Sequence, residues 1–347
     1  MTQVLAYAAQ DASSPLTPFS YTQREITGHD VAIGILFCGV CHSDLHQARN
    51  EWGGSIYPLV PGHEIVGIVT EVGCQVTKYR VGDAVGVGCM VDACQQCESC
   101  EMHLEQYCEK GCTYTYNSMS RDGKTPTFGG YANGIVVKED FVLRLPKGLP
   151  LDKTAPLLCA GITTYSPLKK WGVVPNKRVG VVGIGGLGHM ALKIARAMGA
   201  EVVALTSSPG KAEEARRLGA HHVVVTRDPA NLIPWQNQLD FILDTVSADH
   251  EINPLLGLLK RDGTLVLVGV PMLPLKVGAM NLIGGRRQVA GSLIGGIQET
   301  QEMLDFCAQH GITADIETIQ IQDINTAYER MLKQDVKYRF VIDMALV

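Results

Sequence analysis

Four cysteines, Cys94, Cys97, Cys100 and Cys108, fall within fifteen residues in the pattern C-x2-C-x2-C-x7-C. Four thiolates this close can close a tetrahedron around one zinc ion, and such a site keeps no position for a substrate. Closely spaced cysteines also hold iron–sulfur clusters, so the spacing admits either metal; structural zinc is the reading adopted. The neighbouring residues Asp92, Gln95, Gln96 and Glu98 are polar. Unliganded thiols on such a loop would be exposed to oxidation and have no packing role. A four-cysteine zinc also occurs in ribbons that bind nucleic acid. Here Lys plus Arg number 30 against 35 Asp plus Glu, a formal charge of −5. No basic stripe accompanies the loop, so no nucleic-acid partner is expected.

The whole chain carries 11 cysteines, an odd number that in an intracellular-looking chain argues against a disulfide framework, and their clustering argues for metal. A cytoplasmic protein is expected. Residues 1–15 show no basic segment followed by an apolar core and cleavage site, and no run of about 20 apolar residues exists, so neither a secretory signal nor a membrane span is expected. Hydrophobic residues at 46% and charged residues at 19% are a globular composition, and 347 residues point to two domains.

The pattern along the chain changes near residue 155. Before it, Val31–Phe37, Ile65–Val72, Ala84–Val87 and Gly134–Val137 read as strands between Gly and Asp turns, with no long amphipathic helix. After it, strands and helices alternate: strand Arg178–Val182, helix Leu187–Met198, strand Glu201–Leu205, helix Lys211–Leu218, strand His222–Thr226, strand Asp240–Thr245, helix Asp249–Leu259, strand Thr264–Gly269 and strand Val289–Leu293. That alternation predicts a parallel sheet built from βαβ units. A helix over Gln298–His310 and a strand over Tyr338–Met344 follow.

Within the second region Gly183-Ile184-Gly185-Gly186-Leu187-Gly188 follows a strand and opens a helix. In that context the glycines permit a tight turn, close approach of a pyrophosphate and helix–strand contact, with free N–H groups at the helix start for the phosphates. The next strand lacks the terminal carboxylate that would hold a ribose 2′-hydroxyl; Glu201 is at its wrong end. It runs instead into Thr206-Ser207-Ser208-Pro209-Gly210-Lys211. Hydroxyls and a lysine suit a 2′-phosphate, so the expected cofactor is NADP(H).

Cys41 and His63 lie in Cys38-Gly39-Val40-Cys41-His42-Ser43-Asp44-Leu45-His46 and Pro61-Gly62-His63-Glu64. Spacing alone joins neither to Cys159, which reads as a small buried residue beside Leu157 and Leu158. In order along the chain, however, GVCHSDLH, PGHEIVG, the four-cysteine loop, LLCAGITTYSPL and GIGGLGHM resemble the zinc-dependent medium-chain alcohol dehydrogenases, in their cinnamyl-alcohol-dehydrogenase-like branch. The resemblance implies an α/β plus β fold: a GroES-like β-barrel catalytic domain, residues 1–155 and 296–347, with an inserted Rossmann domain, residues 156–295. It implies two zinc ions per chain. Cys41, His63 and Cys159 would hold the catalytic ion, with Glu64 a carboxylate that binds when water or substrate leaves; Cys2His with an open position is a known catalytic set. Asp44 matches the carboxylate that orients the ligand histidine.

The same resemblance assigns a proton relay to Ser43, the cofactor ribose and His46. It places His42 at the pyrophosphate and Thr163 beside the nicotinamide. Thr245, Gly269, Ser292 and Ile294 fall at strand ends, where parallel sheets bind ligands. The implied reaction interconverts primary alcohols and aldehydes, either aromatic (cinnamyl or benzyl type) or medium aliphatic, with aldehyde reduction in the cell. Trp52, Cys89, Tyr114, Val270 and Ile294 are candidate pocket walls, mostly apolar, and an apolar wall discriminates weakly. Relatives imply a homodimer. Two rival readings are a zinc-free quinone or enone reductase on the same scaffold, which would lack the Cys41, His63 and Cys159 set, and a zinc-storage protein, which would need no nucleotide loop.

Overall fold

Runs rich in β-branched residues build the first sheet. In Asp30–Gly39 and Ile65–Val72 the side chains of Val31, Ile33, Ile65, Val66 and Val69 are almost wholly buried. The computed structural model describes residues 2–344. Residue 1 and residues 345–347, the outer ends of the expected catalytic segments, lie outside the described residues. The chain forms two compact units, one running up to Cys159 and resuming at Gly295, the other spanning Ala160–Ile294.

In the first unit a seven-stranded sheet runs Ile316–Gln320, Arg339–Asp343, Asp30–Gly39, Ile65–Val72, Ala84–Val87, Leu143–Arg144, with Gly134–Lys138 also paired to Asp30–Gly39. Asp30–Gly39 is the hub, since three strands pair with it antiparallel. A hairpin of Gln3–Ala8 and Thr17–Thr22 stands apart as its own two-stranded sheet. The helices of the first 150 residues are short, the longest being His42–Ala48.

In the second unit six parallel strands follow the order His222–Val225, Glu201–Thr206, Arg178–Val182, Leu239–Asp244, Leu259–Leu267, Gln288–Gly291. This is the doubly wound order of dinucleotide-binding sheets. Val203, Leu205, Ile242, Leu256, Leu259 and Leu265 fill its core.

Several elements differ from the sequence expectation. Of the helix expected over Asp249–Leu259 only Asn253–Leu258 forms, with Pro254 in its first turn. Asp249 and His250 are drawn into loop contacts instead: Asp249 accepts from Leu273 N at 3.2 Å, and His250 Nε2 meets Asp244 at 2.7 Å. The helix expected from Lys211 begins at Ala212, after a 3-10 turn over Pro209–Lys211. The strand Ile316–Gln320 and the helix Ile324–Leu332 were not anticipated. Among the described residues no helix is long and apolar enough to cross a membrane.

Candidate metal centres and nucleotide loop

The four-cysteine loop leaves the strand Met90–Asp92 and turns through the one-turn helix Glu98–Glu101 and a 3-10 turn, Glu105–Tyr107. Its four sulfurs lie within 4.8 Å of one another. Cys97, Cys100 and Cys108 are buried, Cys94 partly so, and all 11 cysteines of the chain are free thiols. Cys94 N donates to Cys108 Sγ at 3.4 Å, and the Cys94 and Cys100 sulfurs are 3.9 Å apart. Four unbridged sulfurs held this close, with a backbone N–H aimed at one, fit a closed tetrahedral zinc.

The second group is assembled from distant stretches of the first unit. Cys41 caps the start of His42–Ala48, His63 and Glu64 lie on the turn that enters Ile65–Val72, and Cys159 follows the 3-10 turn Ala155–Leu158. One ligand atom from each of Cys41, His63, Glu64 and Cys159 falls within 4.8 Å of the others, and all four residues are buried. Gly39 is needed here, since a Cβ at that position would lie 1.9 Å from Glu64 Oε2.

Asp44, fully buried, ties the ligand segments together. Its Oδ2 accepts from Cys41 N at 2.8 Å and from the Tyr131 hydroxyl at 3.2 Å. Its Oδ1 accepts from Gly62 N at 3.1 Å and lies 3.1 Å from His63 Nδ1. With Nδ1 engaged, Nε2 is the nitrogen free to bind a metal. Arg339, also buried, reaches in from the strand Arg339–Asp343: Nη2 donates to Glu64 Oε1, and Nη1 lies 3.8 Å from Cys41 Sγ.

These charges shift the local acidities. The Cys159 thiol donating to it, with Arg339 and His63 nearby, pulls Cys41 well below the ordinary thiol range against the opposing effect of burial. Its hydrogen bonds to Cys41 and Cys89, with burial, push Cys159 well above that range. Burial works to lower His63, but the Asp44 carboxylate outweighs it and the imidazole stands well above its usual value. Two thiols, an imidazole and a carboxylate are the borderline donor set that zinc takes. The buried Glu64 Oε2 has no hydrogen-bond partner, which leaves it available to a cation. The residues present therefore fit a zinc ion.

Ser43 Oγ lies 3.5 Å from Cys41 Sγ. His46, one turn further along the same helix, sits with its Nδ1 2.5 Å from Glu51 Oε2 and its ring 5.2 Å from that of Trp52. His42 opens the helix with an exposed side chain. Sequence reasoning missed Arg339, Tyr131 and Glu51; none stands in a local pattern that marks it.

In the second unit the glycine loop joins Arg178–Val182 to the helix Gly188–Ala197. Gly183 has φ +86, and a Cβ at Gly188 would meet the Gly183 carbonyl at 2.0 Å, so turn and helix contact both need glycine. Gly185 faces open space, the room a pyrophosphate needs; Gly186 and Leu187 complete the turn into the helix. Lys211 Nζ donates to the Ile184 carbonyl at 3.0 Å, which brings the Thr206–Lys211 segment to the loop. Thr206 is buried and accepts from Ser208 N through Oγ1 at 3.1 Å, whereas Ser207 is exposed. Burial lowers the Lys211 amine from its usual value.

Thr245, Gly269 and Ser292 all lie just past the carboxyl ends of their strands. Thr245 Oγ1 donates to Val182 O at 2.7 Å, Ser292 N donates to Leu267 O at 3.1 Å, and Ile294 has φ +36. Thr163, on the helix Ala160–Lys170, is buried with its hydroxyl unpartnered. Open space at the loop and an orphaned buried hydroxyl fit a dinucleotide.

Residues 27–147 match the alcohol dehydrogenase GroES-like domain family and residues 186–309 the zinc-binding dehydrogenase family. The chain is 56% identical over 346 residues to an NADP-dependent alcohol dehydrogenase C 1 of Mycolicibacterium smegmatis, covering 99% of each. It is 57% identical over 343 residues to the aldehyde reductase YahK of Escherichia coli, covering 98% of each. A solved cinnamyl alcohol dehydrogenase from Sorghum bicolor superposes with a TM-score of 0.97 at 50% identity, over 99% of this chain and 98% of that one.

Proposed function

The chain belongs to the zinc-dependent medium-chain alcohol dehydrogenases of the cinnamyl-alcohol-dehydrogenase-like branch, NADP(H)-linked oxidoreductases of alcohols and aldehydes, and we propose that Cys41, His63 and Cys159 hold its catalytic zinc. Glu64 stands by as a fourth donor, and Cys94, Cys97, Cys100 and Cys108 hold a second, structural zinc. The observation that carries this is the gathering of Cys41, His63, Glu64 and Cys159, all buried, into one ligand-sized cluster. The bound groups supply Lewis-acid polarisation of the substrate oxygen and hydride exchange with a nicotinamide.

The chain's own residues handle position and protons. Asp44 fixes the His63 ring by its contact at Nδ1. Ser43 Oγ, beside Cys41 Sγ, exchanges the proton of the reacting oxygen. The Glu51 carboxylate next to His46 Nδ1 engages that nitrogen, which leaves Nε2 as the ring nitrogen open to the relay. A neutral histidine is a suitable terminal base near pH 7. In the nucleotide unit the glycine loop receives the pyrophosphate, and Thr206, Ser207, Ser208 and Lys211 receive the 2′-phosphate. His42, Thr163, Thr245, Gly269, Ser292 and Ile294 complete the cofactor contacts.

Cinnamyl- or benzyl-type and medium aliphatic aldehydes are the substrates this reading favours, reduced in the cell with NADPH. A cytoplasmic location is supported by the 11 free cysteines, since free thiols persist in reducing compartments. A homodimer is supported by exposed apolar side chains near one sheet edge: Met272, Leu273, Met280 and Ile283, on the stretch before the edge strand Gln288–Gly291, are each more than 60% exposed, and a second copy would cover them.

The test is metal analysis together with turnover of an aldehyde panel using NADPH and NADH. Two zinc ions per chain and NADPH-dependent reduction are expected; zinc only at the cysteine loop would overturn the catalytic assignment. Lys211→Ala should lower kcat/KM for NADPH about tenfold and barely change that for NADH, because a charge-assisted hydrogen bond is worth roughly 1.5–3 kcal/mol. Equal losses with both cofactors would remove Lys211 from the 2′-phosphate.

A further inference from the structure

We infer that Arg339 is a positioning residue that holds the Glu64 carboxylate off the catalytic metal and thereby keeps a ligand position open for substrate. The inference rests on the proposed zinc at Cys41, His63 and Cys159. Those three with Glu64 make four donors within 4.8 Å of one another, and four protein donors are what a closed, unreactive zinc site has. An open site with this donor set therefore needs something to compete for the carboxylate.

Arg339 is the ion-pair partner of Glu64 among the described residues. Its Nη2 donates to Oε1, while Oε2 has no hydrogen-bond partner. Both side chains are buried, 5% and 0% exposed, so water screens neither. Backbone holds the pair in register. Gly39 N donates to the Glu64 carbonyl at 2.9 Å, and Val40 N donates to the carbonyl of Phe340, the residue after Arg339, at 2.9 Å. The strand that carries Arg339 is thus stitched to the segment that leads into Cys41. The other arm of the guanidinium lies 3.8 Å from Cys41 Sγ, so one cation touches a fixed ligand and the optional one. A buried carboxylate stripped of its partner is strongly disfavoured. Without the guanidinium, Glu64 has the metal as its remaining cation and turns both oxygens toward it.

The experiment measures release of zinc from the whole enzyme to a chromogenic chelator, alongside kcat and KM. Arg339→Met should lower kcat and slow release of the catalytic zinc by at least roughly tenfold, the worth of one charge-assisted contact. Arg339→Lys, which keeps the charge but loses the fork, should release zinc at a rate nearer the wild type. The double variant Glu64→Ala/Arg339→Met should return release to the wild-type rate or faster, because the competing carboxylate is gone. In cobalt-substituted Arg339→Met the visible bands should no longer respond to added alcohol. A merely structural arginine would behave otherwise: its loss would speed zinc release, and removing Glu64 would not reverse the effect. Faster release in Arg339→Met, or no reversal in the double variant, overturns the inference. If Arg339→Met does not fold, Arg339→Lys decides: release slower than wild type supports the inference and release faster overturns it. Wild-type enzyme with zinc at the cysteine loop alone would instead overturn the catalytic site on which the inference rests.

Discussion

The two cysteine-bearing clusters of this protein answer different physical demands. The loop cluster has four like donors carried by one short stretch of chain, and its surroundings are partly exposed and polar. The buried cluster has three kinds of donor from three stretches of chain, and charged side chains stand directly behind it: Asp44 at His63, and Arg339 at Glu64 and Cys41. A closed tetrahedron of thiolates needs nothing behind it, because its role ends with folding. A site that must exchange a ligand needs its orientation, charge and openness set from outside the donor set. The difference teaches that the residues around a metal, more than the count of donors, separate a site that binds from one that works.

The sharpest way to break this comparison is to exchange the consequences of two equivalent substitutions. Cys41→Ser should abolish turnover, leave about one zinc per chain and keep the melting temperature close to the parent's. Cys94→Ser should do the reverse. It should cost more than about 2 kcal/mol of stability, a drop of more than roughly 4 °C in Tm, because a structural zinc contributes its binding energy to folding. Turnover per correctly folded chain should survive. Metal analysis, calorimetry and kcat on the same preparations settle both halves. Near-normal turnover in Cys41→Ser with the buried metal gone would end the assignment of separate roles.

A smaller effect is expected behind the ligands. Asp44→Asn keeps the shape but removes the charge that faces His63 and accepts from Cys41 N and Gly62 N. Loss of such a partner typically costs about 10–100-fold in metal affinity or activity. Zinc affinity at the buried site should fall by that order while the loop zinc is retained. An equal loss at both clusters would show that Asp44 supports the fold in general.

How much of this was legible in the sequence follows from where each contact comes from. The four-cysteine loop was legible as a candidate metal site because its four thiols are neighbours in the chain. The glycine turn was legible because strand, turn and helix are contiguous. Cys41, His63 and Cys159 show no such contiguity, and only the resemblance to a family joined them; the structure then gathers them. Arg339 and Tyr131 were invisible for a physical reason. Arg339 opens a strand that otherwise reads as core, and Tyr131 follows two glycines in a loop, so neither position shows what its side chain meets across the fold. Asp249 and His250 show the opposite failure. They read as the start of a helix, yet Asp249 accepts from Leu273 N and His250 reaches back to Asp244 at the end of the preceding strand.

Tyr131 provides the finest test of the contrast. It is wholly buried, and its hydroxyl donates to Asp44 Oδ2 at 3.2 Å. Its ring packs under the ligand turn so closely that a Cβ on Gly62 would lie 2.7 Å from Tyr131 Cδ1. Its own backbone N donates to Pro61 O at 3.0 Å, which fixes it to the same turn. Tyr131→Phe keeps the ring and the backbone bond and removes only the hydroxyl. Asp44 then retains the backbone donors Cys41 N and Gly62 N together with His63, so the effect should stay below that of Asp44→Asn. A net hydrogen bond of about 1 kcal/mol corresponds to roughly fivefold. Chelator-driven release of the buried zinc should quicken by that order, with Tm lowered only slightly and the loop zinc unaffected. An unchanged release rate would place Tyr131 outside the apparatus that orients the ligands and leave it a packing residue beneath the turn.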